Sequence, residues 1–319
     1  MESNLPSNEE KTLKSAGIFA LAVAIVALAT AAASIIGTAP HQGQTAAIST
    51  PFNYFADIKI KGKAAIVIDI STGQTLYEKN SDIPLPLASL TKVALALAVA
   101  DVLPSHAVIT IPYYASGSNG DEHLSKGEKW RVQDIIDFTL VTSSNAGARI
   151  LAESADNMIR ERYPEFPAGY AALSRMNELV KELGLQYTYF LNVSGLDIST
   201  TQAGSYGSAR DMAALFAYAA SAESSLFSGT AQNGVLLTSA DGRGQVTVSN
   251  TNNVQGAIPG LIMGKTGLTD LAGGNLAVVF EVGLAHPVVA VVLGSTEYGR
   301  FEDMQKLVTS AQKSIMKVE

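Results

Sequence analysis

The stretch "PLPLASLTKVALALAVA", residues 84–100, places a serine three positions before a lysine at the start of an apolar run. Its two prolines exclude helix immediately upstream, so a helix is predicted to begin near Ala88. Ser89 and Lys92 would then lie one turn apart on the same face, in the positive field of the helix N-terminus. That field and partial burial would favour a neutral lysine amine, which could take the proton of the serine hydroxyl.

The Ser-x-x-Lys pattern is weak by itself, because it occurs three times in the chain. Ser310/Lys313 and Ser314/Lys317 lie in a predicted C-terminal amphipathic helix, where lysines are expected for solvation and for the helix dipole. At Ser89 too, a capping serine beside a solvated lysine is the simpler interpretation when no other motif is considered.

Two further motifs change that balance. "LVTSSNAGARILAE" (140–153) contains the only Ser-x-Asn of the chain, between two apolar helical runs, where a loop could direct both side chains into a cleft. "PGLIMGKTGLTDLAGGNLAVVFE" (259–281) contains the only Lys-Thr-Gly, at a strand edge suited to holding a carboxylate. Each alone also fits a cap or a turn. Together, in this order, the three form the motif set of class A β-lactamases and penicillin-binding proteins.

The residues around these motifs resemble the D-alanyl-D-alanine carboxypeptidases of the low-molecular-mass penicillin-binding proteins, over roughly residues 57–316. The stretches that carry the resemblance are "LPLASLTKVALALAVAD", "LSKGEKWRVQDIIDFTLVTSSNAGARILAE", "MNELVKELGLQYTYFLNVSGLD", "SARDMAAL" and "GLIMGKTGLTDLAGGNLAV". The resemblance implies an acyl-enzyme mechanism, peptidoglycan stem peptides as substrates and β-lactam antibiotics as covalent inhibitors.

The resemblance also implies roles for the residues of the first two motifs. Ser89 would attack the carbonyl between two D-alanines and form the acyl-enzyme, with Lys92 as its general base. Ser143 would relay the proton to the leaving amine, and Asn145 would hold Lys92 and the substrate amide. The family often has glycine and aspartate where this chain has Ser144 and Ala146, so we expect altered substrate contacts there rather than lost chemistry.

The third motif would bind the other end of the substrate. By the same resemblance, Lys265 and Thr266, followed by Gly267, would bind the terminal carboxylate and add positive potential. The oxyanion hole would consist of the backbone N–H groups of Ser89 and of Leu268, the residue after the motif. Removing one such donor commonly costs about 100- to 1000-fold in rate.

The order of periodic segments predicts an α+β fold, and the resemblance implies that this fold is of the DD-peptidase/β-lactamase type. Strands from both ends of the region 57–319 would build one antiparallel sheet, packed against a helical subdomain. The predicted strands and hairpins are 63–80 around Ser71–Gln74, 234–250 around Asp241-Gly242, 260–267, 274–284 and 287–295. The predicted helices are 90–100, 133–153, 171–184, 208–222 with Ser208 as cap, and 300–317.

An uncharged run of 22 residues, 16–37, is long enough to cross a bilayer core about 30 Å thick. Lys11 and Lys14 precede it and no lysine or arginine follows before Lys59, so residues 1–15 are predicted to be cytoplasmic. We expect a linker at 38–56 and an extracytoplasmic catalytic domain at 57–319. Family members often carry a further C-terminal domain and a terminal anchor, and we expect this chain to use its N-terminal helix instead. A cleaved signal peptide is the alternative.

The composition excludes several other classes of protein. A formal charge of −7 argues against nucleic-acid binding, which needs a basic face. The absence of cysteine excludes disulfides, thiolate metal sites and a cysteine nucleophile. The four histidines are scattered without metal-ligand spacing, so neither a metal nor a cofactor is predicted. A Ser-His-Asp triad assembles in space, so spacing alone leaves it open.

Three rival functions use the same groove. One is a D,D-endopeptidase that cleaves cross-links, and another is a β-lactamase-like hydrolase. Class A-like β-lactamases deacylate with a dedicated glutamate after the Ser-x-Asn motif, and Glu153, Glu161 and Glu165 lack the expected Glu-x-x-x-Asn spacing. The third rival is a wall-binding pseudoenzyme, which would not need all of the motif side chains.

Overall fold

The computed structural model describes residues 53–112 and 123–317. Its strands are β1 (Ala64–Asp69), β2 (Thr75–Lys79), β3 (Leu85–Pro86), β4 (Val108–Thr110), β5 (Lys129–Arg131), β6 (Tyr189–Phe190), β7 (Ser205–Gly207), β8 (Gly234–Thr238), β9 (Gln245–Ser249), β10 (Leu261–Thr269), β11 (Gly273–Glu281) and β12 (Pro287–Ser295). Its α-helices are α1 (Thr91–Ala100), α2 (Val132–Val141), α3 (Asn145–Arg162), α4 (Ala171–Glu182), α5 (Ala209–Ala222) and α6 (Gly299–Met316). Short 3₁₀ helices lie at Ala88–Leu90, Ser224–Ala231 and Gln255–Ala257.

The predicted cytoplasmic tail 1–15, the membrane helix 16–37 and most of the linker 38–56 lie outside the described residues. Within 53–112 and 123–317, no helix has both the length and the apolar character needed to cross a bilayer. Phe55, near the end of the predicted linker, is buried and stacks on Tyr77 with 5.5 Å between ring centroids.

Both ends of the described chain contribute to one antiparallel sheet, in the order β10–β11–β12–β1–β2. Its inner strands are apolar at nearly every position because both faces of the sheet are covered. In β12, Val289 and Val291 belong to one apolar core, whereas Val288 and Ala290 belong to another on the opposite face. Helix α5 packs over the first face and α6 over the second. The predicted α+β architecture is confirmed.

The predicted hairpins and the cap are confirmed as well. β1 pairs with β2 and β8 with β9, and Gly242 adopts a left-handed φ of +70° in the turn between the latter two. Ser208 caps α5, since its Oγ accepts a hydrogen bond from the backbone nitrogen of Asp211 at 3.0 Å.

The structure differs from the predictions in two places. The helical region predicted at 133–153 is two helices, α2 and α3, separated at the loop expected for the Ser-x-Asn motif, and the second continues to Arg162. The chain breaks between them because Ser143 adopts a left-handed φ of +64°, which an α-helix cannot contain. The short strands β3 to β7 were not predicted, since two or three residues are too few to show a period of two.

Candidate active site

Ser89 lies in a tight 3₁₀ turn between strand β3 and helix α1. The preceding residue, Ala88, has a φ of +50°, which is uncommon for a residue with a side chain and must be held by its surroundings. The backbone nitrogen of Leu87 donates to the carbonyl oxygen of Ser205 at 3.2 Å. Thr91 Oγ1 donates to the carbonyl oxygen of Ala88 at 2.7 Å. These bonds fix the turn that carries the candidate nucleophile.

Gly195 packs against the same turn from the loop that follows β6. It has a φ of +81°, and an added Cβ would overlap the carbonyl oxygen of Ala88, so only glycine satisfies both the conformation and the space. Asn192 shapes the loop, since its Oδ1 accepts hydrogen bonds from the backbone nitrogens of Ser194 at 3.1 Å and Gly195 at 2.7 Å. The loop thereby brings the carbonyl oxygen of Ser194 to the candidate base.

Lys92 is 1% exposed, and its ammonium nitrogen lies between three oxygen atoms. Nζ is 2.8 Å from Ser89 Oγ, 2.8 Å from Asn145 Oδ1 and 2.8 Å from the carbonyl oxygen of Ser194. A neutral amine has two N–H donors and one lone pair. The two carbonyl oxygens can only accept, so they take the two donors and leave the lone pair for the hydroxyl of Ser89. The structure thus brings together Ser89, Lys92 and Asn145, as predicted.

The Ser-x-Asn motif joins helices α2 and α3. Ser143 lies at the break, and Lys265 Nζ donates to its Oγ at 3.0 Å. Ser144 caps α3, because its Oγ accepts from the backbone nitrogen of Gly147 at 2.8 Å. Ser144 and Ala146 are both buried, so an effect of these residues on substrate contacts would act through the positions of their neighbours.

Lys265 is a buried cation, only 1% exposed, on strand β10. Its Nζ donates to Ser143 Oγ and to the carbonyl oxygen of Thr266, each at 3.0 Å, and no carboxylate of the described residues forms an ion pair with it. Burial holds the pKa of Lys265 well below 10.5, and the charges of Lys92 and Arg300 lower it further.

Thr266 lies beside a second hydroxyl that the sequence did not indicate. Thr251 Oγ1 is 2.7 Å from Thr266 Oγ1, and the backbone nitrogen of Thr251 donates to the carbonyl oxygen of Val141 at the end of α2. Two adjacent hydroxyls, one of them on the residue that follows Lys265, form a polar patch suited to a carboxylate.

The remaining residues of this motif lie on the edge strand of the sheet. A Cβ added to Gly267 would lie 2.8 Å from the carbonyl oxygen of Leu87 and 3.2 Å from Ala88 Cβ. Glycine therefore lets β10 approach the nucleophile turn closely. Leu268, whose side chain is 43% exposed, follows at the point where the strand passes Ser89. The assignment of its N–H group to an oxyanion hole stays a prediction.

Sequence reasoning missed Ser194 and Thr251. Ser194 acts through its backbone carbonyl, which any residue type supplies, so only the neighbouring Gly195 could have indicated a special backbone there. Thr251 lies in a polar loop where hydroxyl residues are common.

Among the described residues, no histidine forms a hydrogen bond with Ser89. His286 Nε2 instead lies 2.9 Å from Asp69 Oδ2, where β12 begins and β1 ends. The candidate base of Ser89 is therefore Lys92. His41 lies outside the described residues.

Comparisons with known proteins agree with this geometry. A family model described as D-alanyl-D-alanine carboxypeptidase matches residues 49–297. The chain is 30% identical over 263 residues to D-alanyl-D-alanine carboxypeptidase DacF of Bacillus subtilis, covering 80% of this chain and 63% of that protein. It is 29% identical over 278 residues to DacA of Escherichia coli, covering 79% of this chain and 60% of that protein. The chain thus spans about three fifths of the length of these curated relatives.

Solved structures share the same fold. Penicillin-binding protein D2 from Listeria monocytogenes, in its ampicillin-bound form, matches with a TM-score of 0.67 at 27% identity, covering 80% of this chain and 98% of that one. The C98A mutant of the Streptomyces K15 DD-transpeptidase matches with a TM-score of 0.68 at 24% identity and the same coverage, which supports the fold alone. The family model matches well over half of the sequence and includes all three motifs. The chain belongs to the D-alanyl-D-alanine carboxypeptidase family.

Proposed function

We propose that the chain is a serine D,D-carboxypeptidase that removes the terminal D-alanine from peptidoglycan stem peptides through an acyl-enzyme on Ser89. The observation that carries the proposal is the position of Lys92 Nζ, 2.8 Å from Ser89 Oγ, with two further oxygens to accept its N–H groups. A buried lysine held in this way is a general base for the adjacent hydroxyl. The relatives named as D-alanyl-D-alanine carboxypeptidases support the substrate class.

Acylation begins when the hydroxyl proton of Ser89 passes to neutral Lys92 and Oγ attacks the carbonyl carbon between the two D-alanines. The carbonyl oxygen becomes an oxyanion, which the N–H groups of Ser89 and Leu268 would stabilise. As the C–N bond breaks, the leaving amine takes a proton by way of the Ser143 hydroxyl. The proton taken up by Lys92 replaces the one that Ser143 has given away, so Lys92 is neutral again when D-alanine departs.

Hydrolysis of the ester repeats the sequence with water as the nucleophile. Water gives a proton to Lys92 as its oxygen attacks the ester carbon, and the proton then passes to the departing Oγ of Ser89. The products are the shortened peptide acid and the free enzyme. Helix α3 also carries Glu153, which is exposed and lies about 12 Å along the helix axis from Asn145. Glu153 is therefore not placed to activate water against a penicilloyl ester, and we expect slow release of the penicilloyl group.

The buried charge of Lys265 favours exopeptidase over endopeptidase activity. A free carboxylate on the terminal D-alanine would meet an ammonium without an acidic partner among the described residues. The paired hydroxyls of Thr251 and of Thr266, the residue after Lys265, would donate to the same carboxylate. In a cross-linked substrate whose corresponding residue is not terminal, the carboxyl group of that residue is part of an amide bond and carries no charge. A buried ammonium without a carboxylate partner is unfavourable, so pairing of Lys265 with the substrate carboxylate would contribute strongly to binding.

Covalent labelling with a fluorescent penicillin tests the nucleophile. We expect the wild type to carry the label and Ser89→Ala to lose it. Ser314→Ala, which removes the serine of another Ser-x-x-Lys pair, is the matched control and should label fully. Equal labelling of Ser89→Ala and wild type would show that the nucleophile is a different residue.

A paired product assay tests the reaction. Pentapeptide and cross-linked dimer are supplied separately, and D-alanine and monomer are quantified. We expect D-alanine release from the pentapeptide to dominate. Faster cleavage of the dimer would establish the endopeptidase, rapid penicillin turnover the β-lactamase-like hydrolase, and binding without any turnover the pseudoenzyme.

We further propose that the catalytic domain is tethered outside the cytoplasmic membrane by residues 16–37. The uncharged run and the lysines before it support this topology. The full chain should remain in the membrane pellet after alkaline carbonate extraction and keep its own N-terminus. A soluble product beginning near Ala33 would show that the segment is a cleaved signal peptide.

A further inference from the structure

Arg300 lies behind the predicted oxyanion hole. Its Nη1 donates a buried hydrogen bond to the carbonyl oxygen of Gly267 at 2.7 Å, and the side chain is 6% exposed. The carbonyl of Gly267 and the N–H of Leu268 belong to one planar peptide group. The guanidinium therefore contacts one end of the peptide group whose other end is the predicted oxyanion donor.

A cation in this position is costly to the fold. Burial lowers the pKa of Arg300, although the charge of Glu297 opposes this shift, and its Nε is buried without a hydrogen-bond partner. None of the ion pairs among the described residues includes it. It also lies in the first turn of α6, where the helix dipole disfavours positive charge. Arg175 differs in this respect, because it is equally buried but paired with Asp101 and Glu182.

We propose that Arg300 is a positioning residue that strengthens the oxyanion hole by polarising the peptide group between Gly267 and Leu268. This inference rests on the proposed serine peptidase function. A charge-assisted hydrogen bond draws electron density toward the carbonyl oxygen, which leaves the N–H at the other end a stronger donor. The same bond holds the edge strand against rotation, so the donor is oriented before the oxyanion forms.

The proposal assigns Arg300 to the chemical step. The oxyanion exists only in the tetrahedral species, so a stronger donor lowers the barrier to acylation without tightening the initial complex. The alternative is that Arg300 only attracts the substrate carboxylate, because its positive charge also reaches Lys265, whose pKa it lowers. Attraction of that kind would change binding and leave the acylation rate constant unaltered.

Stopped-flow acylation by a penicillin separates the two steps, because it yields the dissociation constant of the initial complex and the acylation rate constant. For Arg300→Met we expect the rate constant to fall about 10-fold or more, with the dissociation constant changed less than about 3-fold. Arg300→Gln keeps a hydrogen-bond donor without the charge, so its acylation rate constant should fall by less. The control Arg175→Met removes a buried, paired guanidinium and should lower stability while leaving the acylation rate constant unchanged.

Infrared difference spectra of the acyl-enzyme provide a second readout. A weaker oxyanion hole polarises the ester carbonyl less, so its band should move to higher wavenumber in both Arg300 variants and stay in place in Arg175→Met. A folded Arg300 variant with wild-type acylation and an unshifted ester band would overturn the proposal, as would a loss confined to the dissociation constant. If the wild type itself forms no acyl-enzyme, the proposed function fails, and the role of Arg300 fails with it.

Discussion

Asn275 Nδ2 donates a hydrogen bond to the carbonyl oxygen of Pro86 at 2.9 Å. Pro86 ends the strand that leads into the nucleophile turn, whereas Asn275 lies on β11 in the sheet. The Oδ1 of the same amide accepts from the backbone nitrogen of Gly294 on β12 at 2.8 Å, and the side chain is fully buried. One amide therefore fixes the position of Ser89 relative to two strands of the sheet.

Asn275→Ala removes both hydrogen bonds and leaves the carbonyl of Pro86 and the N–H of Gly294 without that partner. We expect the free energy of unfolding to fall by about 2–4 kcal/mol, because each buried group left unpaired costs about 1–3 kcal/mol. Urea denaturation measures the loss, and penicillin acylation should slow in parallel. Asn157→Ala, at an exposed position of α3, is the control and should stay within about 0.5 kcal/mol of wild type.

Gly195→Ala is expected to abolish labelling of Ser89. The added methyl group would overlap the carbonyl oxygen of Ala88, so the loop with the Ser194 carbonyl must move away from Lys92. Gly184→Ala is a matched control, since Gly184 has a similar positive φ of +69° but no atom within 4 Å of an added Cβ. The control should cost about 1 kcal/mol from backbone strain alone and keep full labelling. Equal labelling of both variants would contradict the packing argument.

Lys265 predicts a stability that rises with pH. Its pKa in the folded protein is well below 10.5, so between the two values the unfolded chain binds more protons than the folded one. Stability from this group therefore increases across that window, by up to about 1.4 kcal/mol per pH unit, and the penalty for burying the charge is full below it. Relative to Lys265→Met, the wild type should become more stable as pH is raised toward 10.5. Urea titrations of both proteins measure the difference.

Lys181→Met replaces an exposed lysine and is the control for this titration. Its stability relative to wild type should change little over the same pH range. A constant difference between wild type and Lys265→Met would show that folding does not lower the pKa of Lys265.

Asp137 predicts the opposite dependence on pH. Burial raises the pKa of its carboxyl from 3.8 to about 6, and its buried Oδ1 has no hydrogen-bond partner. The folded protein therefore binds the proton more tightly, so this group costs stability above pH 6 and the cost disappears as pH falls below about 4. Asp137→Asn should raise the free energy of unfolding by about 2–3 kcal/mol at pH 7 and have little effect at pH 3.5. Asp57→Asn, at an exposed site, should show neither change.

The strands and helices that could be predicted are those with long apolar patterns. β11 and β12 are each nine residues long, and their central residues are apolar on both faces, so their sequences differ clearly from the amphipathic helices around them. The three small polar residues at 143–145 indicated a loop between two apolar runs, but they did not predict the geometry of the break at Ser143. It depends on a left-handed backbone that only the surrounding contacts hold in place.

The three motifs were predictable as candidates because each combines residue types that nucleophilic catalysis requires, at a spacing set by local structure. Ser89 and Lys92 share a helix turn, so their proximity follows from sequence alone. The contacts of Lys92 with Asn145 and Ser194 and of Lys265 with Ser143 join residues far apart in the chain. These contacts were decided only by the packing of α3, the loop of Gly195 and the edge strand β10 around the turn that carries Ser89. Lys265 is buried, with its pKa lowered, only once the chain has folded, so the roles proposed for the two lysines depend on the tertiary structure.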